Sequence, residues 1–341
     1  MNCENPSTSK MSKKRRRHNS QLAKEQNTEA LAISRSEDFW FEDGNLVLQA
    51  EDVQFKVHKG VLSRYSPVFA TILSMPHTDD EPAVEGCPVL HVYDDCTDIR
   101  NLLLLLYDKC YDSCAPLPFG VVVSMVRIGK KYEIPHLVRC GLKHMKKEFP
   151  VTLKDWDIRE KAGGHARIDG IKTPAGLFAM IKLALECGIE TVLPSAYYQC
   201  CLDMDATLFG HQGANLLFTP ASQGIPKICF TAHKRLVENQ NNSLNELSKE
   251  LLEHRTCRPM LRKGRSPDYK YERCISELWP KHNTELKLLE RCDPSSLEGK
   301  NLCQPCIKRI LYTLEQGREA VWDHLPSFFG LPDWNDLKNC G

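Results

Sequence analysis

The chain has 341 residues, 42% hydrophobic and 26% charged, with a formal net charge of +1. This is the composition of a globular chain with room for two ordinary domains, not of a disordered or collagen-like one. No apolar run approaches the about 18 residues that span a bilayer, and the N-terminus has no apolar secretory core, so neither a membrane protein nor a secreted one is expected.

Sixteen cysteines are scattered along the chain. Without a secretory leader they predict reduced thiols and a location in the nucleus, the cytoplasm or both. The small net charge hides an asymmetry. Residues 1–36 carry eight Lys/Arg against three Glu, so the remainder is net negative.

Residues 1–36 are polar and predict a disordered tail. Within it Lys13, Lys14, Arg15, Arg16 and Arg17 precede His18. Such a run suits a nuclear-import receptor or weak nucleic-acid contact, and is also what a solvated tail looks like.

Phe39, Trp40 and Phe41 open an aromatic stretch that breaks at Asp43-Gly44 and resumes with Leu46 and Leu48. Two short strands around a turn, or one bulged strand, are predicted. Alternation of Val53, Phe55 and Val57 predicts a half-buried strand. After His58 the spacing turns helical through Lys59–Tyr65. Ser66-Pro67 then starts a second helix to Ser74, with Ser as N-cap and Pro where no N–H is missed.

Met75–Pro88 is acidic and proline-containing and reads as a loop, and Val89–Val92 as a short strand. Cys96–Tyr107 reads as a helix with Thr97 as N-cap, and Leu102–Leu106 covers more than one of its faces. Cys110–Pro118 reads as a loop. Amphipathic helices are predicted at Phe119–Tyr132 and Pro135–Phe149. Residues 37–149 thus hold about three strands and five helices.

Gly163-Gly164 and Asp169-Gly170 mark 151–172 as a linker. Beyond it the pattern is helical over 173–341. Helices are predicted from Thr173-Pro174 to about Glu186, at Glu190–Leu202 (against Pro194), at Leu244–Leu252, at Tyr269–Leu289 and at Asn301–His324. Phe209–Lys227 reads as a loop and Glu238–Ser243 as a polar break. Phe328, Phe329, Leu331 and Trp334 are too apolar for a free tail and should dock.

Cys303-x-x-Cys306 has the spacing of a zinc-binding pair, and His254-x-x-Cys257 supplies a second, with Cys274 and Cys292 as alternative ligands. The competing readings are buried thiols packing as small hydrophobes and a redox dithiol. Without the zinc reading no cofactor is expected. Residues 254–310 hold thirteen Lys/Arg and seven Asp/Glu. Those charges are interspersed and suit a solvated helical face better than a nucleic-acid site. No G-x-S-x-G, Gly-Lys-Ser/Thr phosphate loop or H-E-x-x-H occurs, so no enzyme is predicted. Cys200-Cys201, after Tyr197-Tyr198, reads as helix core.

The order strand, His58-Lys59, helix, Ser66-Pro67-x-Phe69 resembles the BTB/POZ domain. So does the later pair of helices, with Tyr132 before the turn and Leu137 and Cys140 after it. The resemblance covers about Asp38–Phe149. Asp43, Phe55, His58, Ser66, Pro67, Phe69, Tyr132, Leu137 and Cys140 stand at pattern positions with structural roles, His58 through its ring bonding nearby backbone. Asp43-Gly44 and the closing W-D-x-L-P-x-x-F-G-L-P-x-W are similar to the expanded BTB families of basidiomycete fungi.

The resemblance implies an α+β fold, a small β-sheet flanked by about five helices over 37–150, followed by a mainly α-helical C-terminal domain. It implies a homodimer whose seam uses Phe39, Trp40, Phe41, Val61, Leu62 and Tyr65. It also implies an adaptor or scaffold role, with a cullin-type ubiquitin ligase and an unknown protein substrate as candidate partners. The alternative is a nuclear transcriptional or chromatin regulator. No membrane partner is expected, and nucleic acid only under that alternative.

Overall fold

The computed structural model describes residues 33–76, 82–108, 115–164, 167–209, 224–253, 286–297 and 304–339. They fall into two compact units, a sheet unit within Met1–His58 and Thr78–Cys96, and a helical unit within Lys59–His77 and Thr97–Gly341.

The sheet unit is built from β1 (Ser34–Trp40), β2 (Leu46–Ala50), β3 (Val53–Val57), β4 (Ala83–Val84) and β5 (Cys87–Val92), in the order β1-β3-β2-β5-β4. β2 and β3 form an antiparallel hairpin that places Leu48 opposite Phe55, and β2 pairs parallel with β5, Leu48 opposite Leu90. At the centre, Leu46, Val47, Leu48 and Ala50 are all fully buried, the pattern of a strand covered on both faces. β3 is buried on both faces too. Phe55 and Val57 lie on one side and Gln54 and Lys56 on the other. The alternation of β3 is real, but its polar face is not solvent-facing.

The sheet has five strands where three were expected. β4 lies inside the stretch read as an acidic loop. It is two residues long and turns through Glu85-Gly86, both at positive φ, the geometry of a two-residue hairpin turn. A glutamate at the first turn position, in place of Asn or Gly, hid that turn. β1 begins at Ser34, ahead of the aromatic stretch, because its polar N-terminal half pairs through backbone with β3 rather than through side-chain burial.

The helical unit contains α1 (Lys59–Tyr65), α2 (Pro67–Ser74), α3 (Cys96–Tyr107), α4 (Phe119–Lys131), α5 (Pro135–Glu148), α6 (Leu153–Lys161), α7 (Pro174–Cys187), α8 (Leu193–Leu202), α9 (Met204–Phe209), α10 (Gly224–Glu253), α11 (Gln304–Asp323) and α12 (Leu325–Phe328). α4 and α5 pack as an antiparallel pair. Their approach needs glycine: a Cβ on Gly141 would stand 2.7 Å from Val126 Cγ2, and one on Gly129 would stand 3.0 Å from Val138 Cγ2. α8 is buried at every position from Leu193 to Cys201, which makes it the central helix against which α7, α9, α10 and α12 pack. Pro194 is tolerated because it sits in the first turn, where its missing N–H has no partner to lose.

Three sequence expectations are corrected here. Residues 151–172 are not a plain linker: they hold α6, capped by the Thr152 hydroxyl, and β7 (Ile168–Asp169), which pairs parallel with β6 (Leu117–Pro118) in the segment read as loop. The polar stretch Glu238–Ser243 does not break the chain but lies inside the 30-residue α10, where buried Gln240 accepts a hydrogen bond from the Lys287 amide at 2.8 Å. Thr97 is not an N-cap, since α3 already includes Cys96. α7 starts at Thr173-Pro174 as read from the sequence, and the Thr173 hydroxyl caps it, accepting from the Gly176 amide at 3.1 Å.

The chain end is fastened down. Trp334 stacks on Trp322 at 5.4 Å and donates its indole N–H to the Trp322 carbonyl at 2.7 Å, and Phe329 stacks on Tyr197. The Glu190 amide donates to the Lys338 carbonyl at 2.8 Å, next to a bridge between Ile189 and Asn339. Trp156 of α6 lies edge-on to Tyr198 and near Trp322, so α6, α8, α11 and the terminal segment share one aromatic cluster. No helix among the described residues is long and apolar enough to cross a membrane.

Candidate functional site

The Ser66-Pro67-x-Phe69 motif is a lock within the helical unit. Ser66 is fully buried and its hydroxyl has two partners: it accepts from the Phe69 amide at 3.0 Å, capping α2, and donates to the Tyr132 carbonyl at 2.6 Å. Pro67 takes the first helical position. The Phe69 and Tyr132 rings stack at 4.3 Å with only 7° between planes. One hydroxyl and one ring therefore join two motifs separated by 66 residues. Leu137 is buried just after the turn, and Cys140 is half-buried on α5.

In the sheet unit His58 turns Nε2 to Asp43 Oδ1 at 3.1 Å and packs its ring 5.2 Å from Phe41. The turn residue Asp43 and the strand end are thus joined by a side-chain carboxylate. Phe55 is buried opposite Leu48, in the same strand as Lys56. The Lys56 ammonium reaches the Glu42 carbonyl at 3.2 Å and Glu85 at 3.1 Å, while Arg35 holds the other Glu85 oxygen at 2.6 Å. The hydrogen bond from Lys56, with the charges of Arg35 and Lys56, lowers the Glu85 pKa below its ordinary value. The sequence carried no sign of this clamp, because Glu85 is 29 residues from Lys56 and 50 from Arg35.

The six residues assigned to a dimer seam divide. Phe39 and Leu62 are buried within the single chain, at 5% and 0% exposure. Trp40, Phe41, Val61 and Tyr65 stay partly exposed. Trp40 carries the Arg35 guanidinium over its ring at 4.4 Å, and Tyr65 lies 5.3 Å from the His136 ring. β1 forms one end of the sheet.

The import run Lys13–Arg17 lies outside the described residues, as do His254, Cys257 and Cys303 of the zinc reading. Cys306 falls in the first turn of α11. Cys292, an alternative ligand, packs against Leu297, Ile307 and Ile310. Glu51, Asp95 and Cys96 cluster in the sheet unit, where Glu51 already serves the Cys96 amide.

Cys200 and Cys201 on α8 are fully buried and approach Cys229 of α10, Cys201 Sγ lying 3.4 Å from the Cys229 carbonyl. Hydrogen bonding to Cys229, then burial, pushes both thiols well above the free-thiol value. That favours the protonated form over the thiolate a nucleophile needs.

Residues 41–148 match the family model of the BTB/POZ domain. No curated protein and no solved structure matches the chain. The chain therefore carries a BTB/POZ domain over 41–148, a small β-sheet with helices, followed by a helical C-terminal region. BTB/POZ domains are protein–protein interaction modules, generally without catalytic activity, and mediate dimerisation and binding to other proteins.

Proposed function

We propose that the chain is a dimerising interaction adaptor of the expanded BTB families of basidiomycete fungi. The observation that carries the dimer is the BTB/POZ match together with partly exposed aromatic side chains, Trp40 and Phe41 around the edge strand β1 and Tyr65 on α1. An end strand offers one row of backbone donors and acceptors to another chain. Sedimentation equilibrium of the full chain at micromolar concentration tests this. A dimer that Trp40→Ala with Tyr65→Ala shifts towards monomer is expected, and a wild-type monomer removes the reading.

The finer role is that of a substrate adaptor for a cullin-type ubiquitin ligase, with the region after residue 173 holding an unknown protein substrate. A Kd below about 1 μM for a cullin N-terminal domain, about −8 kcal/mol, supports it. Absence of binding at tens of micromolar leaves a dimeric scaffold.

The second reading is a nuclear transcriptional or chromatin regulator, favoured by Lys13–Arg17 and by the net +6 of residues 254–310. It requires nuclear accumulation that is lost when Lys13–Arg17 are replaced by Ala, and DNA binding that weakens steeply with salt. Zinc held by His254, Cys257, Cys303 and Cys306 belongs to this reading. Metal analysis of the purified chain, with and without Cys303→Ser and Cys306→Ser, tests it.

A further inference from the structure

α5 is amphipathic. Leu137, Gly141, Met145 and Glu148 turn inward, while Arg139, Lys143, Lys146 and Lys147 are exposed. Between that outer face, α6, Gly164 and Arg167 lies a cleft of about 760 Å³. Its lining holds six cations and one carboxylate, Asp155. Asp155 is engaged at the cap of α6, where it accepts from the Thr152 hydroxyl at 2.7 Å. Of the cations, Arg159 is buried against Glu148 and Glu160. Arg139, Lys143, Lys146 and Lys147 are exposed and Arg167 is half-buried.

Two further observations describe the cleft. Its lining also includes Leu142, Val151 and Ile158, and Ile158 is 57% exposed. His144, on the inner side of α5, has its pKa lowered by burial and then by Lys147, Lys143 and Arg167. The imidazole thus registers the positive potential of that face.

Charge and shape together select the occupant. The field favours an anionic partner. The concave apolar lining favours one that can insert an aliphatic side chain, which a flat lipid surface or a duplex backbone does not offer. Among the described residues the lining contains no aromatic ring on which a base could stack. We propose that the α5–α6 cleft binds an acidic peptide segment of a partner protein, with an aliphatic side chain seated on Leu142, Val151 and Ile158 and flanking carboxylates paired with Lys143, Lys147 and Arg139. The cleft is formed within the helical unit and serves this purpose whether or not the chain dimerises.

The test is fluorescence anisotropy with the full chain and a short fluorescein-labelled peptide carrying glutamates around a central leucine. Two control peptides replace the glutamates by glutamine or the leucine by serine. Saturable binding of the first peptide is expected, with both controls at least about tenfold weaker (about 1.4 kcal/mol). Lys143→Glu with Lys147→Glu should weaken it similarly, and so should Ile158→Ser. All three positions are exposed, so circular dichroism should stay that of the wild type. Two results overturn the proposal. One is no saturation at hundreds of micromolar. The other is binding that ignores Ile158→Ser and the leucine control while anionic vesicles or single-stranded DNA bind equally well, which would make the face a general polyanion patch.

Discussion

The sheet unit and the helical unit both bury charged side chains, but in different surroundings. In the sheet unit the buried Lys56 meets Glu85, whose side chain remains 39% exposed, so water still reaches one partner. In the helical unit Arg318 is 3% exposed. It bonds Glu315 through two contacts at 2.8 and 3.0 Å, the Leu289 carbonyl at 3.2 Å, and Asp157 on α6. Arg159 likewise faces Glu148, which is fully buried and also accepts the Arg167 amide at 3.0 Å. Desolvation makes such ions costly to keep and more costly to orphan. The sheet unit should therefore tolerate the loss of a charge, and the helical unit should not.

The sharpest way to break this contrast is Arg318→Met. It leaves Asp157 without its main partner and should lower stability by about 3–5 kcal/mol, read from urea unfolding by tryptophan fluorescence. Trp156, Trp322 and Trp334 all report on the helical unit. Adding Asp157→Leu should return much of the loss. If the single variant costs no more than a surface substitution, the two units do not differ in the way described.

Ser66→Ala is expected to be smaller. It removes the cap of α2 and the hydrogen bond to Tyr132 together, about 1–3 kcal/mol, measured by the same unfolding midpoint. A loss confined to a few tenths would mean that the Phe69–Tyr132 stack alone joins the two motifs.

The smallest effect is that of Glu85→Gln, and it depends on pH. The folded state holds the Glu85 pKa below its ordinary 4.5. A depressed carboxyl contributes stability above the unfolded pKa and loses it as pH falls through the folded one. Wild type should exceed Glu85→Gln at neutral pH, and the gap should close below about pH 4.5. A gap that persists in strong acid would point to packing of the turn rather than to the charges of Lys56 and Arg35.

Much of the BTB/POZ region was legible because its signals are local. Val53–Val57 and the Ser66-Pro67 start of α2 each act through neighbours a few residues away, as do the Thr173-Pro174 start of α7 and the closing prolines beyond that region. Burial of the aromatic and aliphatic residues around β1 and α1 was not legible. Phe39 and Leu62 look no different in sequence from Trp40 and Val61, and only packing separates core from surface. The basic face of α5 could be read as a row of cations, but the cleft required α6, which was hidden in an apparent linker with few large apolar residues besides Trp156.

The sequence by itself determined an α+β chain with one recognisable interaction domain and a helical remainder, because strand alternation, caps and helix periodicity are properties of short windows. The tertiary structure alone decided which polar groups are buried and which are met. Arg318 finds Asp157 across 161 residues and Thr191 finds Asn339 across 148. No pattern marks such partners in advance, since a hydrogen bond requires only that two groups arrive at the same place.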